Sequence, residues 1–156
     1  MRFPHRFLGL AAAVAVCAVL VPAQSARAEL LGIRGGAYTD LNKPFVGAEL
    51  IGRFSHDLPL YFNPNVEYVF LDNNTYMTLN ADFHYDFYTH GPGFVWVGGG
   101  LAVIYQNPKG PGAGSTDAAG NLLFGVGLRG DVIPYVQVKL IAKEHTELVI
   151  GLGLRF

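Results

Sequence analysis

The 156-residue sequence has a single cysteine, Cys17, and it falls inside an apolar run near the amino-terminus. The chain that follows therefore has no thiol and no disulfide, and its stability must come from a core or from a membrane. Charge is sparse too, at 15% of residues. No basic patch interleaved with aromatics exists, which argues against nucleic acid as a partner. No amphipathic helical period of useful length occurs after residue 30. Serine is nearly absent beyond the leader: only Ser55 and Ser115 remain.

The amino-terminus reads as an address. Arg2, His5 and Arg6 precede an uninterrupted apolar stretch from Leu8 to Val21, then Pro22 and the small-residue pattern Ala26-Arg27-Ala28. This predicts a secretory signal peptide over 1–28, cleaved after Ala28, and a mature domain over 29–156. The apolar stretch is too short to serve as a spanning helix. Apolar residues continue past Cys17, so a lipidation site is not expected there. Of 11 lysines and arginines, Arg2, Arg6 and Arg27 belong to the leader, leaving 8 against 12 acidic residues in a mildly acidic domain.

From Leu31 onward the sequence alternates between polar and apolar positions in short segments split by turn residues. Strands are expected over 31–38, 45–54, 60–71, 75–88, 94–105, 121–130, 135–143 and from about 146 to the end. The span 106–120, rich in glycine, proline, serine and aspartate, is expected as the longest loop. Pro64 cannot donate to a ladder, so a bulge or a later strand start is expected there. Eight segments of this length match the roughly 9–11 residues of a tilted membrane-spanning strand.

The distribution of charge decides between a lipid-facing and a water-facing barrel. With each strand's apolar face fixed by its hydrophobes, the ionisable residues fall on the opposite face: Arg34, Glu49, Arg53, Glu67, Asp82, Asp86, Arg129, Lys139, Lys143, Glu147 and Arg155. An arginine or lysine on a lipid face at the midplane costs about 2–4 kcal/mol. These residues, with His84, are expected to form a paired polar network filling the lumen, aided by Asn63, Asn65, Asn80 and Gln137. Aromatics near strand ends, Tyr38, Phe45, Phe54, Phe62, Phe70, Tyr76, Phe87, Tyr88, Phe94, Trp96, Tyr105, Tyr135 and Phe156, are expected to form interfacial girdles. The facing of the fifth strand, and hence of Trp96, stays open.

The last strand, Glu147-Leu148-Val149-Ile150-Gly151-Leu152-Gly153-Leu154-Arg155-Phe156, alternates strictly and ends on an aromatic. This resembles the closing strand of small bacterial outer-membrane β-barrels of the OmpA/OmpX-like type. The resemblance implies an all-β, eight-stranded antiparallel up-and-down transmembrane barrel in the outer membrane of a Gram-negative envelope. It further implies chaperoned export and insertion by the barrel-assembly machinery. In such proteins Ile150, Leu152, Leu154 and Phe156 would serve as the assembly signal. With the amino-terminus taken as periplasmic, the 106–120 loop lies outside the cell.

Other motifs are better read structurally. Gly98-Gly99-Gly100, Gly125-Val126-Gly127 and Gly151-Leu152-Gly153 lack the following helix that a phosphate cradle needs. Asp82, His84 and Asp86 share one face and could in principle hold a metal, yet in a polar lumen they are expected to be structural. Ser115 has no pre-oriented base, so no enzyme activity is expected, nor any cofactor or metal. The expected function is an integral, monomeric barrel surrounded by outer-membrane lipid, with a structural or surface-interaction role and a filled lumen. The alternatives are a narrow pore for small or apolar solutes and a secreted soluble ligand-binding barrel.

Overall fold

The computed structural model describes residues 28–55, 57–110 and 112–156. The expected leader up to Arg27, His56 and Pro111 lie outside the described residues. Eight strands follow one another: β1 (Ala28–Tyr38), β2 (Lys43–Arg53), β3 (Leu60–Phe70), β4 (Asn74–Tyr88), β5 (Gly93–Pro108), β6 (Ser115–Leu128), β7 (Ile133–Ala142) and β8 (Glu147–Arg155). Each pairs antiparallel with its neighbours in sequence, and β8 returns to pair with β1, closing the barrel. Backbone bonds between Leu31 and Phe156, at 2.9 and 3.0 Å, extend that seam past the last strand. Closure removes the lateral edges of the sheet except where β6 runs past the end of β7 at the upper end.

Two ends follow from this order. Connections 39–42, 71–73, 109–114 and 143–146 form the upper end; connections 54–59, 89–92 and 129–132, the start of β1 and the end of β8 form the lower one. Asn42 carries a positive φ of 50° in the tight β1–β2 connection, a conformation asparagine tolerates well. Beside it, Lys43 holds Asp72 at 2.5 Å across the upper rim, and this partner keeps the Asp72 carboxyl below its ordinary range.

The alternation read from the sequence becomes the two faces of the wall. From Leu31 to Leu154, the outward positions of the strands carry no charge at all: β8, for instance, presents Leu148, Ile150, Leu152 and Leu154, and β6 presents Leu122, Phe124, Val126 and Leu128. Leu101 at 71% and Leu152 at 62% exposure show how fully these side chains project. In water so large an apolar surface would drive aggregation; in hydrocarbon it is the stable arrangement.

Two expectations change. The span 106–120 is mostly strand: β5 continues to Pro108 and β6 begins at Ser115, leaving a connection of 109–114. Ladder pairing overrides turn-like composition here, because β4 offers Asn74 and Thr75 to Pro108 and Asn107, and β5 offers 102–106 to 115–119. Pro64 produces neither a bulge nor a late start. β3 runs straight through it in one register with β4, while pairing with β2 lapses only where Leu50 and Ile51 stand opposite Pro64 and Asn63. The missing donor is accommodated as a local gap.

Glycines admit the large lumen side chains. Trp96 lies opposite Gly125, and Tyr135 opposite Gly153. A Cβ on either glycine would overlap the facing ring. We expect Gly125→Val to destabilise the barrel by about 1–3 kcal/mol through overpacking, while Gly110→Ala in the upper connection, with open space around it, leaves stability unchanged. Urea unfolding in lipid vesicles measures the difference.

Candidate functional site: the lumen network

The inward rows bring nine of the expected ionisable residues into burial: Arg34, Glu49, Glu67, Asp82, His84, Asp86, Lys139, Glu147 and Arg155. Two glutamates act as hubs. Glu49 Oε1 accepts from Arg155 Nε at 2.9 Å and from the Tyr135 hydroxyl at 2.7 Å, while its Oε2 accepts from Asn63 at 2.8 Å. Glu67 Oε2 accepts from Lys139 Nζ at 2.7 Å, from the Tyr38 hydroxyl at 2.5 Å and from Thr78 at 3.2 Å. Arg34 joins the hubs, lying 2.8 Å from Glu67 Oε1 and 3.5 Å from Glu49 Oε2. A carboxylate this deeply buried is tolerable only because cations and hydroxyl donors surround it.

Asp82 is held differently. Asn65 and Asn121 donate to its two oxygens at 2.9 and 2.8 Å. These amides belong to a chain across the wall, Asn121 to Asn80 to Asn65 to Asn63, with steps of 3.0, 2.9 and 3.0 Å. The buried charges are thus shared unevenly. Three buried cations serve two glutamates, and amides hold Asp82.

Apolar layers lie above and below the ionic one. Toward the upper end Tyr38, Phe45, Val69, Tyr76, Ile104, Ile141 and Val149 close the lumen. Toward the lower end Phe94, Trp96 and Tyr135 pack together, with the Arg155 guanidinium 4.9 Å from the Trp96 ring centroid and 4.4 Å from that of Tyr135. These cation–π contacts let a buried arginine keep company with aromatics. His84 stacks on Tyr61 at 5.5 Å, and its Nε2 lies 3.4 Å from Asp86 Oδ1.

Three of the expected lumen residues lie elsewhere. Arg53 ends β2 and is exposed at the lower mouth. Arg129 follows β6 and is also exposed; it donates to the Gly91 and Thr89 carbonyls and lies 5.2 Å above the Tyr88 ring. Both have inward parity, but the strand ends carry them beyond the packed interior. Lys143 lies half-buried in the upper connection, paired with Glu147 at 2.7 Å.

The girdle expectation is corrected for six aromatics. Tyr38, Phe45, Tyr76, Phe94, Trp96 and Tyr135 are at most 4% exposed and point inward. Phe54, Phe70, Phe87 and Phe156 do project outward near strand ends, while Tyr88 lies on the inward row, opposite Phe94, and is exposed at the lower mouth. The hydroxyls of Tyr38, Tyr76 and Tyr135 each donate to a buried glutamate, the second of them to Glu147 at 2.8 Å. Parity carried that signal: Tyr38 lies four positions from Arg34, Tyr76 six from Asp82, and Tyr135 four from Lys139.

For catalysis or metal binding the arrangement offers little. Among the described residues no group of three or more histidines, cysteines and carboxylates could hold a metal ion. Ser55 accepts from the Leu58 amide within a lower turn, and Ser115 is exposed opposite Gln106 at the start of β6.

A closed eight-stranded antiparallel barrel with an apolar exterior and an ionic, hydrogen-bonded interior has the architecture of the small membrane β-barrels. Solved structures of the same fold are outer-membrane proteins. The chain is similar to the N-terminal β-barrel domain of Pseudomonas aeruginosa OprF, with TM-score 0.69 and 16% identity over 81% of this chain and 94% of that one. It is similar to Neisserial surface protein A, NspA, with TM-score 0.62 and 15% identity over 81% and 94%. The outer-membrane enzyme PagL shares the fold with TM-score 0.54 and 12% identity over 81% and 98%. No family model matches the sequence, and the comparison with curated proteins finds no match.

Proposed function

We propose that this protein is an integral outer-membrane barrel with a structural or surface-interaction role and a lumen that does not conduct. The observation that carries the reading is the cross-lumen bridge Lys139–Glu67–Arg34–Glu49–Arg155, capped above by the Tyr38–Phe45–Tyr76 layer. Opening a pore would break several buried ion pairs at once, each strongly destabilising to lose. The apolar exterior supports membrane residence, and its solved structural counterparts come from the outer membrane. Export through a signal peptide, chaperoning and insertion by the assembly machinery belong to the same reading. So do a monomeric state and the outward row Ile150, Leu152, Leu154 and Phe156 as the signal that machinery would read.

The alternatives fit less well. A secreted soluble barrel would turn polar groups outward and keep an apolar cavity, the reverse of what is seen. PagL shows that this fold can carry an enzyme, yet neither serine here has a histidine or carboxylate bonded to it among the described residues. Planar-bilayer recordings test the proposal: the reconstituted protein is expected to give no steady openings. Sustained unitary currents would overturn the closed lumen. Recovery of the protein in a soluble fraction without detergent would overturn membrane residence.

A further inference from the structure

We propose that residues 115–119 of β6 form a recognition edge that takes up an extended, lysine- or arginine-bearing peptide segment as an added strand. The inference rests on the membrane reading above only for the upper end facing solvent. Its starting point is a mismatch in ladder lengths. On one side β6 pairs with β5 from Ser115 to Leu128; on the other it pairs with β7 only from Gly120, opposite Ala142, downward. β7 stops there, and the chain leaves through the 143–146 connection. The β7-facing side of residues 115–119 therefore has no strand partner in an otherwise closed wall.

An unpaired edge exposes main-chain donors and acceptors that template another strand. Natural edges are blunted by proline, lysine, a bulge, short length or an inward charge; this segment has no proline, lysine or bulge, and its one charge is Asp117, opposite the inward Ile104 at the open upper mouth. It reads Ser115-Thr116-Asp117-Ala118-Ala119, keeps continuous register with β5, and is exposed from 115 to 118. Proline and lysine do occur next to it, as Pro108 and Lys109, but on the preceding strand and connection.

Charge selects the occupant. Around the upper rim Lys43 is paired with Asp72 and Lys143 with Glu147, while Lys109 donates to the Leu71 and Asp72 carbonyls. Asp117 in the edge and Glu144 in the flanking connection enter no ion pair among the described residues and are exposed. An incoming strand thus meets two carboxylates that stand outside the ion pairs of the rim, which favours a basic side chain opposite Asp117. A second copy of this chain fits worse. Two-fold antiparallel pairing centred on the segment would set Asp117 against Asp117, and directly opposed like charges are destabilising.

Fluorescence anisotropy on the barrel in phosphatidylcholine nanodiscs provides the test, with dye-labelled alternating Lys–Val peptides as the probe. A matched Glu–Val peptide and a Lys–Val peptide methylated at alternate backbone nitrogens serve as controls. The Lys–Val peptide is expected to bind, the Glu–Val peptide not to bind, and backbone methylation to weaken binding at least tenfold. Asp117→Lys is expected to weaken it tenfold or more while heat-modifiable gel migration confirms a folded barrel. Equal binding of the methylated peptide, or unchanged binding by Asp117→Lys, would reduce the contact to nonspecific charge attraction and overturn the proposal. Concentration-dependent self-association lost in Asp117→Lys would assign the edge to a second copy and overturn it as well. None of these outcomes depends on whether the lumen conducts.

Discussion

Glu67→Ala is expected to cost about 3–5 kcal/mol of unfolding free energy, a value set by what the side chain leaves behind. Glu67 is fully buried, accepts from Lys139 Nζ, the Tyr38 hydroxyl and Thr78, and lies in an ion pair with Arg34 Nη2. Its removal strands the buried Lys139, leaves Arg34 only its longer contact with Glu49, and orphans a tyrosine hydroxyl beneath the upper aromatic layer. Glu67→Gln, which keeps an acceptor oxygen but no charge, should fall between the alanine variant and the parent. Trp96 is the only tryptophan and is buried in the lumen, so its fluorescence reports urea unfolding of the vesicle-inserted barrel directly. A loss below about 1 kcal/mol, the scale of an ordinary exposed pair, would show that Glu67 does not anchor the interior.

Leu152→Arg should be nearly as damaging for the opposite reason. Leu152 projects from β8 on the outer face, between Leu154 and Ile150 and beside Val136 of β7. An arginine at midplane depth on a lipid-facing strand costs about 2–4 kcal/mol, falling toward zero near the interfaces. The variant is expected to insert poorly and to lose the faster-migrating folded band on an unheated gel. Gly112→Arg, in the exposed 109–114 connection, is expected to insert like the parent. Equal insertion of the two variants would contradict the assignment of the outer face.

These two substitutions also mark what a reader of the sequence could see. The outer face was legible wherever a strand carries charge, because hydrocarbon excludes it, so Leu152 and Leu154 declare their side unaided; β5, without a charge on either face, did not declare its own. Glu67 was legible as an inward residue by the same exclusion. Its partners were not, since pairing depends on the stagger between strands and not on any single strand. Tyr38, Tyr76 and Tyr135 were misplaced because a tyrosine is equally at home at a membrane interface and over a buried carboxylate; only its parity with Arg34, Asp82 and Lys139 separates the two. Arg53 and Arg129 show the converse limit. Parity assigns a side of the wall but not a depth along it, and both reach past the packed interior. The β5–β6 hairpin was hidden by composition, for serine, glycine and proline speak of turns until a neighbouring strand supplies hydrogen-bond partners.

The β1–β8 seam has a temporal consequence. It joins Gly32 to Arg155 and Tyr38 to Val149, residues more than a hundred positions apart, whereas the other seven ladders join neighbours across short turns. Hairpins can zip as soon as both halves exist, but this last ladder carries the full loop-closure penalty of the chain and can form only when its final strand has been delivered. Until that moment two raw strand margins stay available to any passing polypeptide. The margins of β1 and β8 are therefore the last in this barrel to find their partners, and the hairpins the first.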